Sequence, residues 1–168
     1  DSLFFTRLFV SERKQIAMIA DEKSPTRISH RIFATSRSEK EIIMQKVIST
    51  DKAPAAIGPY SQAIEVNGLV YTSGVIPVNP ATGEIVGSTA AEQADQAIGN
   101  LKNLVEAAGS SMDKVIKTVV FIKNMDDFGK INEVYGKYFP EPYPARSCVE
   151  VARLPKDVLI EIEAIAAK

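Results

Sequence analysis

From Met44 onward, apolar and polar positions alternate in two rhythms, one of period two and one of period 3.6. Val47-Ile48 is a short β-rich run. Ala63-Ile64-Glu65-Val66 and Leu69-Val70-Tyr71-Thr72 flank Asn67-Gly68. Both turn positions of a tight hairpin want positive φ, so Asn-Gly between two such runs predicts one. Thr89 and Glu92 have the spacing of a capping box. After them Ala94, Ala97, Ile98, Leu101, Leu104, Val105 and Ala108 recur at helical spacing, and Gly109 is a natural stop. Val115 to Ile122 is β-branched and apolar, the pattern of a strand buried on both faces. Phe128, Ile131, Tyr135 and Tyr138 mark a second amphipathic helix, with Asp126-Asp127 near its positive end and Pro140, Pro142 and Pro144 closing it. Two further strands follow, Pro144 to Val151 and Ile160 to Ile165, with Leu154-Pro155 between them. Lys52 to Tyr60 and Pro77 to Gly83 carry the prolines and glycines of loops.

This order predicts an α+β fold in which two helices cover one face of a mixed, mainly antiparallel sheet. Ile160, Ile162 and Ala164 are expected beneath the helices, and Leu159, Glu161 and Glu163 on the other face. No helix remains for that second face. It is too apolar to leave in water and too polar for a dry core. An oligomer that buries it around a polar site accounts for both properties; an exposed strand solvated by Glu161 and Glu163 is the equal alternative.

The chain's 168 residues suggest one domain with an extension, and 45% apolar residues suffice for a real core. No apolar run approaches the roughly 20 residues of a membrane helix. A net charge of −1 gives no strong field toward nucleic acid or an anionic membrane. The charge divides near Met44: residues 1–43 carry eight basic and six acidic residues, the remainder twelve and fifteen. Residues 1–43 are therefore expected to be a leader, tag or poorly ordered extension, and residues 44–168 the folded domain. The Arg- and Ser-rich character of the leader resembles an organelle transit peptide, against which its six acids weigh. Phe4, Phe5, Leu8, Phe9 and Val10 there would make an amphipathic turn or two. The single cysteine, Cys148, allows no internal disulfide, which fits the cytoplasm, or a mitochondrial or other organelle matrix if the leader directs import. His30 is the one histidine, so residues 44–168 hold no histidine triad and no zinc cluster. Neither a GxGxxG fingerprint nor a Walker A sequence occurs. Tyr135, Tyr138 and Tyr143 have only Lys130 and Lys137 as nearby bases, poor support for base stacking.

The chemistry-bearing candidates cluster near the C-terminus. On a strand, Arg146, Cys148 and Glu150 share one face, and Ser147 and Val149 the other. A guanidinium among apolar residues needs a negative partner. That partner is either a structural glutamate, Glu150 or Glu161, or the carboxylate of a small substrate, which the guanidinium fork matches bidentately. Structural pairs are the commoner arrangement. Cys148 beside β-branched residues is more often a small core hydrophobe than a nucleophile, and no histidine is at hand to activate it. Taken singly, Tyr60 reads as a packing residue, Ser73-Gly74 as a bulge or a place where a ligand approaches the backbone, and Asn132 as a solvated helix residue.

Taken together, these segments resemble the RidA/YjgF family, the reactive-intermediate (enamine/imine) deaminases. The resemblance rests on residues 53–63 (Ala-Pro-Ala-Ala-Ile-Gly-Pro-Tyr-Ser-Gln-Ala), on Tyr71-Thr72-Ser73-Gly74-Val75-Ile76-Pro77 and on Lys117-Thr118-Val119-Val120-Phe121. It rests further on Asp127-Phe128 through Asn132, on the run from Pro144 to Pro155, and on Ile160-Glu161-Ile162-Glu163-Ala164. It covers about residues 45–167. It implies a chorismate-mutase-like subunit, a homotrimer whose sheets face a central barrel, and sites in clefts between neighbouring subunits. The implied activity is a form of metabolite damage control. Short 2-imino acids such as 2-iminopropanoate and 2-iminobutanoate, tautomers of the enamines released by PLP-dependent serine and threonine dehydratases, are hydrolysed to 2-oxo acids and ammonia without cofactor or metal. Arg146 would clamp the substrate carboxylate and Glu161 would orient and activate water. Cys148 would line the cleft through its backbone, and Tyr60, Ser73, Gly74 and Asn132 would complete the pocket. Many members have Gln where this chain has Val75, which alters one wall, and the connection from Tyr138 to Pro144 is short, which alters the rim. Two other roles attached to relatives are a non-enzymatic metabolite-binding or chaperone-like trimer and a ribonuclease or translation inhibitor. The retained Glu161 ranks the first below the deaminase. Acidic balance and missing histidine weigh against the second.

Overall fold

The computed structural model describes residues 45–168. The expected leader and His30 lie outside the described residues. The elements are β1 (Lys46–Ile48), β2 (Ala63–Val66), β3 (Leu69–Thr72), α1 (Ala90–Ala107), β4 (Val115–Ile122), α2 (Phe128–Tyr138), β5 (Ala145–Glu150) and β6 (Ile160–Ala167). Their order along the chain is the one the hydrophobic pattern predicts. The strands form one six-stranded sheet in the order β1-β2-β3-β6-β4-β5. Every pair is antiparallel except β4 and β5, which α2 connects as a parallel crossover.

Local chemistry sets the ends of these elements. Asn67 (φ 52°) and Gly68 (φ 76°) both take the left-handed conformation that the β2–β3 hairpin demands. At the start of α1 the Thr89 hydroxyl accepts from the Glu92 amide at 3.3 Å, and the Glu92 carboxylate accepts from the Thr89 amide at 3.0 Å. The Ser88 amide, which also donates to the Glu92 carboxylate at 2.9 Å, and this reciprocal capping box hold the Glu92 pKa below its usual range.

Both helices lie on one face of the sheet. Ile98, Leu101, Leu104 and Val105 of α1 and Ile131 and Tyr135 of α2 share a buried cluster with Val120, Ile122, Ile160, Ile162 and Ala164. The isoleucines of β6 thus lie beneath the helices, and Glu161 and Glu163 project from the opposite face. The prediction that β4 is buried on both faces is corrected. Val115, Thr118, Val120 and Ile122 are buried, but Lys117, Val119 and Phe121 are half-exposed because no element of the described chain covers that side. The strand register lays out this open face in rows. Val47, Ile64, Tyr71, Ile165, Lys117 and Ala145 are aligned across all six strands. Beside them run Glu163-Val119-Ser147 and Glu161-Phe121-Val149. No helix among the described residues is long and apolar enough to cross a membrane.

Candidate functional site

Arg146 sits on β5, at the edge of the sheet, in register with Thr118. Thr118 is fully buried and its hydroxyl lies 2.9 Å from that of Tyr135, so this side of β5 faces α2. The half-buried Arg146 donates from Nη1 to Asn132 Oδ1 at 2.7 Å. Its guanidinium carbon lies 4.6 Å from the Tyr135 ring centroid and 5.4 Å from that of Phe128. Aromatic faces stabilise a cation without neutralising it. The expected structural pair with Glu150 or Glu161 does not form: among the described residues no carboxylate lies within ion-pair distance of Arg146. Glu150 instead accepts from the Met125 amide at 2.7 Å. Beside the guanidinium opens a recess of about 420 Å³ bounded by Asn132, Tyr135, Tyr143 and Pro144. Cys148 lies on the same side of β5, half-buried against the core. Burial pushes its thiol pKa up, and the nearby Arg146 only partly opposes this, so the thiol is not activated.

Glu161 faces the other way. Its carboxylate rests on Gly74, where an added Cβ would run into Oε1 and lie 2.7 Å from Cδ. Burial raises its pKa above the usual glutamate value, and the like charge of Glu163 adds to the effect. Gly74 is held on both sides. The Ser73 amide donates to Gln62 O at 2.9 Å, the Ser73 hydroxyl to Ser61 O at 2.7 Å, and the Val75 amide to Ile162 O at 2.8 Å. Tyr60, 48% exposed, accepts at its hydroxyl from the Ile57 amide at 3.2 Å. Tyr60, Ser73, Gly74 and Val75 border a cavity of about 160 Å³.

Two side chains that sequence reasoning missed shape this region. Gln62, 7% exposed, donates to the carbonyls of Thr50, Ala53 and Pro54 and accepts from the Thr50 amide. Asn100, 1% exposed, donates to Ile76 O at 3.1 Å and Val78 O at 2.8 Å, while Gln96 supports its carbonyl at 2.9 Å. A signal for Asn100 was present. It lies on the same helical stripe as Ala97, Leu101 and Leu104, where an exposed amide does not belong.

The structure therefore groups the sequence-predicted residues into two sets. Arg146, Asn132 and Cys148 lie on the helix side near the β5 edge. Glu161 and Gly74 lie together on the other side, with Ser73 and Tyr60 bordering the adjoining cavity. One chain does not bring Arg146 and Glu161 together, because they project from opposite faces of the sheet. Among the described residues no group of three His, Cys, Asp or Glu could hold a metal ion.

Comparison with known proteins agrees with this architecture. Residues 50–168 match the family described as Endoribonuclease L-PSP. The chain is 54% identical over 128 residues to the 2-iminobutanoate/2-iminopropanoate deaminase of Escherichia coli K12, covering 74% of this chain and 99% of that one. It is 55% identical over 125 residues to a RutC family protein of Pyrococcus horikoshii, again covering 74% of this chain and 99% of the other. Among solved structures it is similar to E. coli TdcF with bound serine, at 52% identity and a TM-score of 0.70, over 73% of this chain and 98% of that one. By sequence and by fold, the chain belongs to the YjgF/RidA family, the family described as Endoribonuclease L-PSP.

Proposed function

We propose that this protein hydrolyses short 2-imino acids, the tautomers of 2-enamino acids released by PLP-dependent serine and threonine dehydratases, to 2-oxo acids and ammonia. One observation carries the reading. A half-buried guanidinium, framed by two aromatic rings and an amide, has no carboxylate partner among the described residues and borders an open recess. Such a charge is costly unless an anion completes it, and the fork geometry of Arg146 selects a carboxylate. The name of the E. coli relative supports the same chemistry.

The reaction needs both sets of residues, so the site forms where the Arg146 side of one copy meets the Glu161 side of another. This accords with the homotrimer that the family resemblance implies. Residues 44–168 then make up the deaminase domain, and residues 1–43 an extension to it. Arg146, oriented by Asn132, binds the substrate carboxylate, and the backbone at Cys148 lines the same cleft. Glu161 of the neighbouring copy, held against Gly74 with Tyr60 and Ser73 nearby, positions a water. The substrate imine is protonated and already electrophilic at C2. Water adds there as Glu161 takes its proton, giving a carbinolamine. Glu161 returns that proton to the amino group and then takes the hydroxyl proton as the C–N bond breaks, so ammonia leaves with the 2-oxo acid and Glu161 releases its proton to solvent. The raised pKa of Glu161 brings it nearer the optimum for a proton shuttle. Holding the reactants together supplies the rest of the acceleration, with no covalent intermediate and no histidine.

The test couples the protein to a threonine dehydratase and follows 2-oxobutanoate release against semicarbazide trapping of the imine. Wild type should raise the untrapped fraction and Arg146→Ala should not. Equal performance of the two would refute the reading.

A further inference from the structure

Phe128, Asn132 and Tyr135 lie at helical spacing on one side of α2, and all three meet Arg146. Asn132 gives the clamp one hydrogen bond, whereas the guanidinium itself lies over the Tyr135 ring. We infer that Tyr135 is a positioning residue for the reaction, a fixed platform that holds the Arg146 fork flat and directs its edge toward the substrate carboxylate. This deepens the deaminase reading and rests on it.

The platform is fixed in two directions. At its tip, the Tyr135 hydroxyl lies 2.9 Å from the hydroxyl of the fully buried Thr118. Thr118 is the β4 partner of Arg146 in the strand register, so one strand pair carries both the clamp and the anchor of its platform. On its flank, the buried Phe139 ring stacks on that of Tyr135 with 4.1 Å between centroids. Any movement of Tyr135 away from Arg146 breaks both contacts. The ring also stays neutral. Burial pushes the Tyr135 phenol pKa up, and the hydrogen bond from Thr118 and the charge of Arg146 oppose this only in part. A phenolate would neutralise the guanidinium. A neutral ring stabilises it through its π face and leaves its charge for a ligand.

The same geometry limits the ligand. A guanidinium has five N–H donors, all in its plane. Tyr135 covers a face, 4.6 Å from the guanidinium carbon, and Asn132 Oδ1 engages Nη1 at 2.7 Å. The donors that remain lie along the edge, and a carboxylate meets such an edge bidentately. A freely rotating arginine would have to order its long side chain on binding. With Arg146 already laid on the ring, that entropy is lost in folding rather than in capture of the substrate.

The test uses the full chain, with 2-oxobutanoate as the probe and 2-oxobutanamide as its uncharged counterpart, both titrated calorimetrically. A partly desolvated cation–π contact corresponds to about tenfold in binding. Tyr135→Leu should therefore weaken the acid about tenfold and leave the amide unchanged. Tyr135→Phe and Thr118→Val keep the ring and remove only its anchor, and each should cost the acid about threefold or less. The substrate carboxylate is unaltered in the reaction, so its clamp acts equally in ground and transition states. With the imine generated from 2-aminobutanoate by an amino-acid oxidase, Tyr135→Leu should then raise KM about tenfold and change kcat by less than about threefold. Tyr135 is buried, so Tyr135→Met, whose flexible side chain fills irregular space, takes the place of Tyr135→Leu where that variant does not fold. Equal weakening of acid and amide would mean that Tyr135 merely shapes the recess. Acid binding as tight as in wild type, or Tyr135→Phe as weak as Tyr135→Leu, would deny the ring its part. Each of these overturns the inference. Arg146→Ala separates the two levels. If it loses the acid while Tyr135→Leu keeps it, Tyr135 is not the platform and the deaminase reading stands. If Arg146→Ala binds the acid as wild type does, that reading fails and the platform falls with it.

Discussion

Glu161 carries its charge in a place that disfavours charge. Burial and the neighbouring Glu163 both raise its pKa above the ordinary 4.5. The sign of the consequence follows. In the proposed reaction Glu161 works as a base only when ionised, so kcat/KM should fall on the acid side at a pH above 4.5, and Glu163→Gln should move that limb downward. A carboxyl whose folded pKa exceeds its unfolded value weakens the fold as pH rises through that interval. Glu161→Gln should therefore raise the melting temperature at pH 8 relative to wild type while abolishing deamination. A lower melting temperature together with retained activity would show that the carboxylate is structural. Gly74 is bound up with the same residue. Its backbone needs no positive φ, so space alone forbids a side chain there. Gly74→Ala should displace the Glu161 carboxylate and lower kcat at least tenfold, an effect of about 1.4 kcal/mol or more on the barrier. Unchanged kinetics would show that the carboxylate can move aside freely.

The helices and strands were legible because their signals are local. The Asn67-Gly68 turn, the Thr89–Glu92 box and the stripe from Ala94 to Ala108 each specify an element within a few residues. The exposed side of β4 was not legible, since a β-branched run reads alike whether one face or two are covered, and only the count of covering elements decides. The roles of Gln62 and Asn100 were hidden for a related reason. Their partners lie up to 24 residues away, and an amide within a stripe resembles a surface residue until the loop it bonds is placed. The separation of Arg146 from Glu161 was implicit in strand parity, but it required the register of β4 with both β5 and β6. At this scale α1 supports a loop as well as a core. Asn100→Ala should leave the carbonyls of Ile76 and Val78 without their donor and cost about 1–3 kcal/mol by urea unfolding. Thr89→Ala at the cap should cost about 1 kcal/mol. A smaller loss for Asn100→Ala than for Thr89→Ala would show that the loop is held by its backbone alone.

The whole molecule is asymmetric across its sheet. One face is sealed by two helices; the other presents Val47, Tyr71, Val119, Phe121 and Val149 interspersed with Lys117, Glu161 and Glu163. Apolar area of this kind is stabilised by burial against another copy, and closed cyclic symmetry lets every copy bury it alike. The proposed chemistry makes the same demand, because Arg146 and Glu161, its clamp and its shuttle, lie on opposite sides of one sheet. Each active site should then draw Arg146 from one protomer and Glu161 from the next. Arg146→Ala and Glu161→Gln proteins should each be inactive alone. Unfolded together in equal amounts and refolded, they should form mixed oligomers. In a ring, a site is intact only where a protomer with a sound Arg146 precedes one with a sound Glu161. Random assembly gives each condition a probability of about one half, so about a quarter of wild-type activity should return. Sedimentation equilibrium on the same mixture should give the mass of a trimer. Val149→Asp, on the open face at a side chain 43% exposed in the single chain, should disturb the protomer little yet shift that mass toward monomer and remove the recovered activity with it. If the mixture stays inactive while its mass remains trimeric, both catalytic groups belong to one protomer's site, and the shared cleft is wrong.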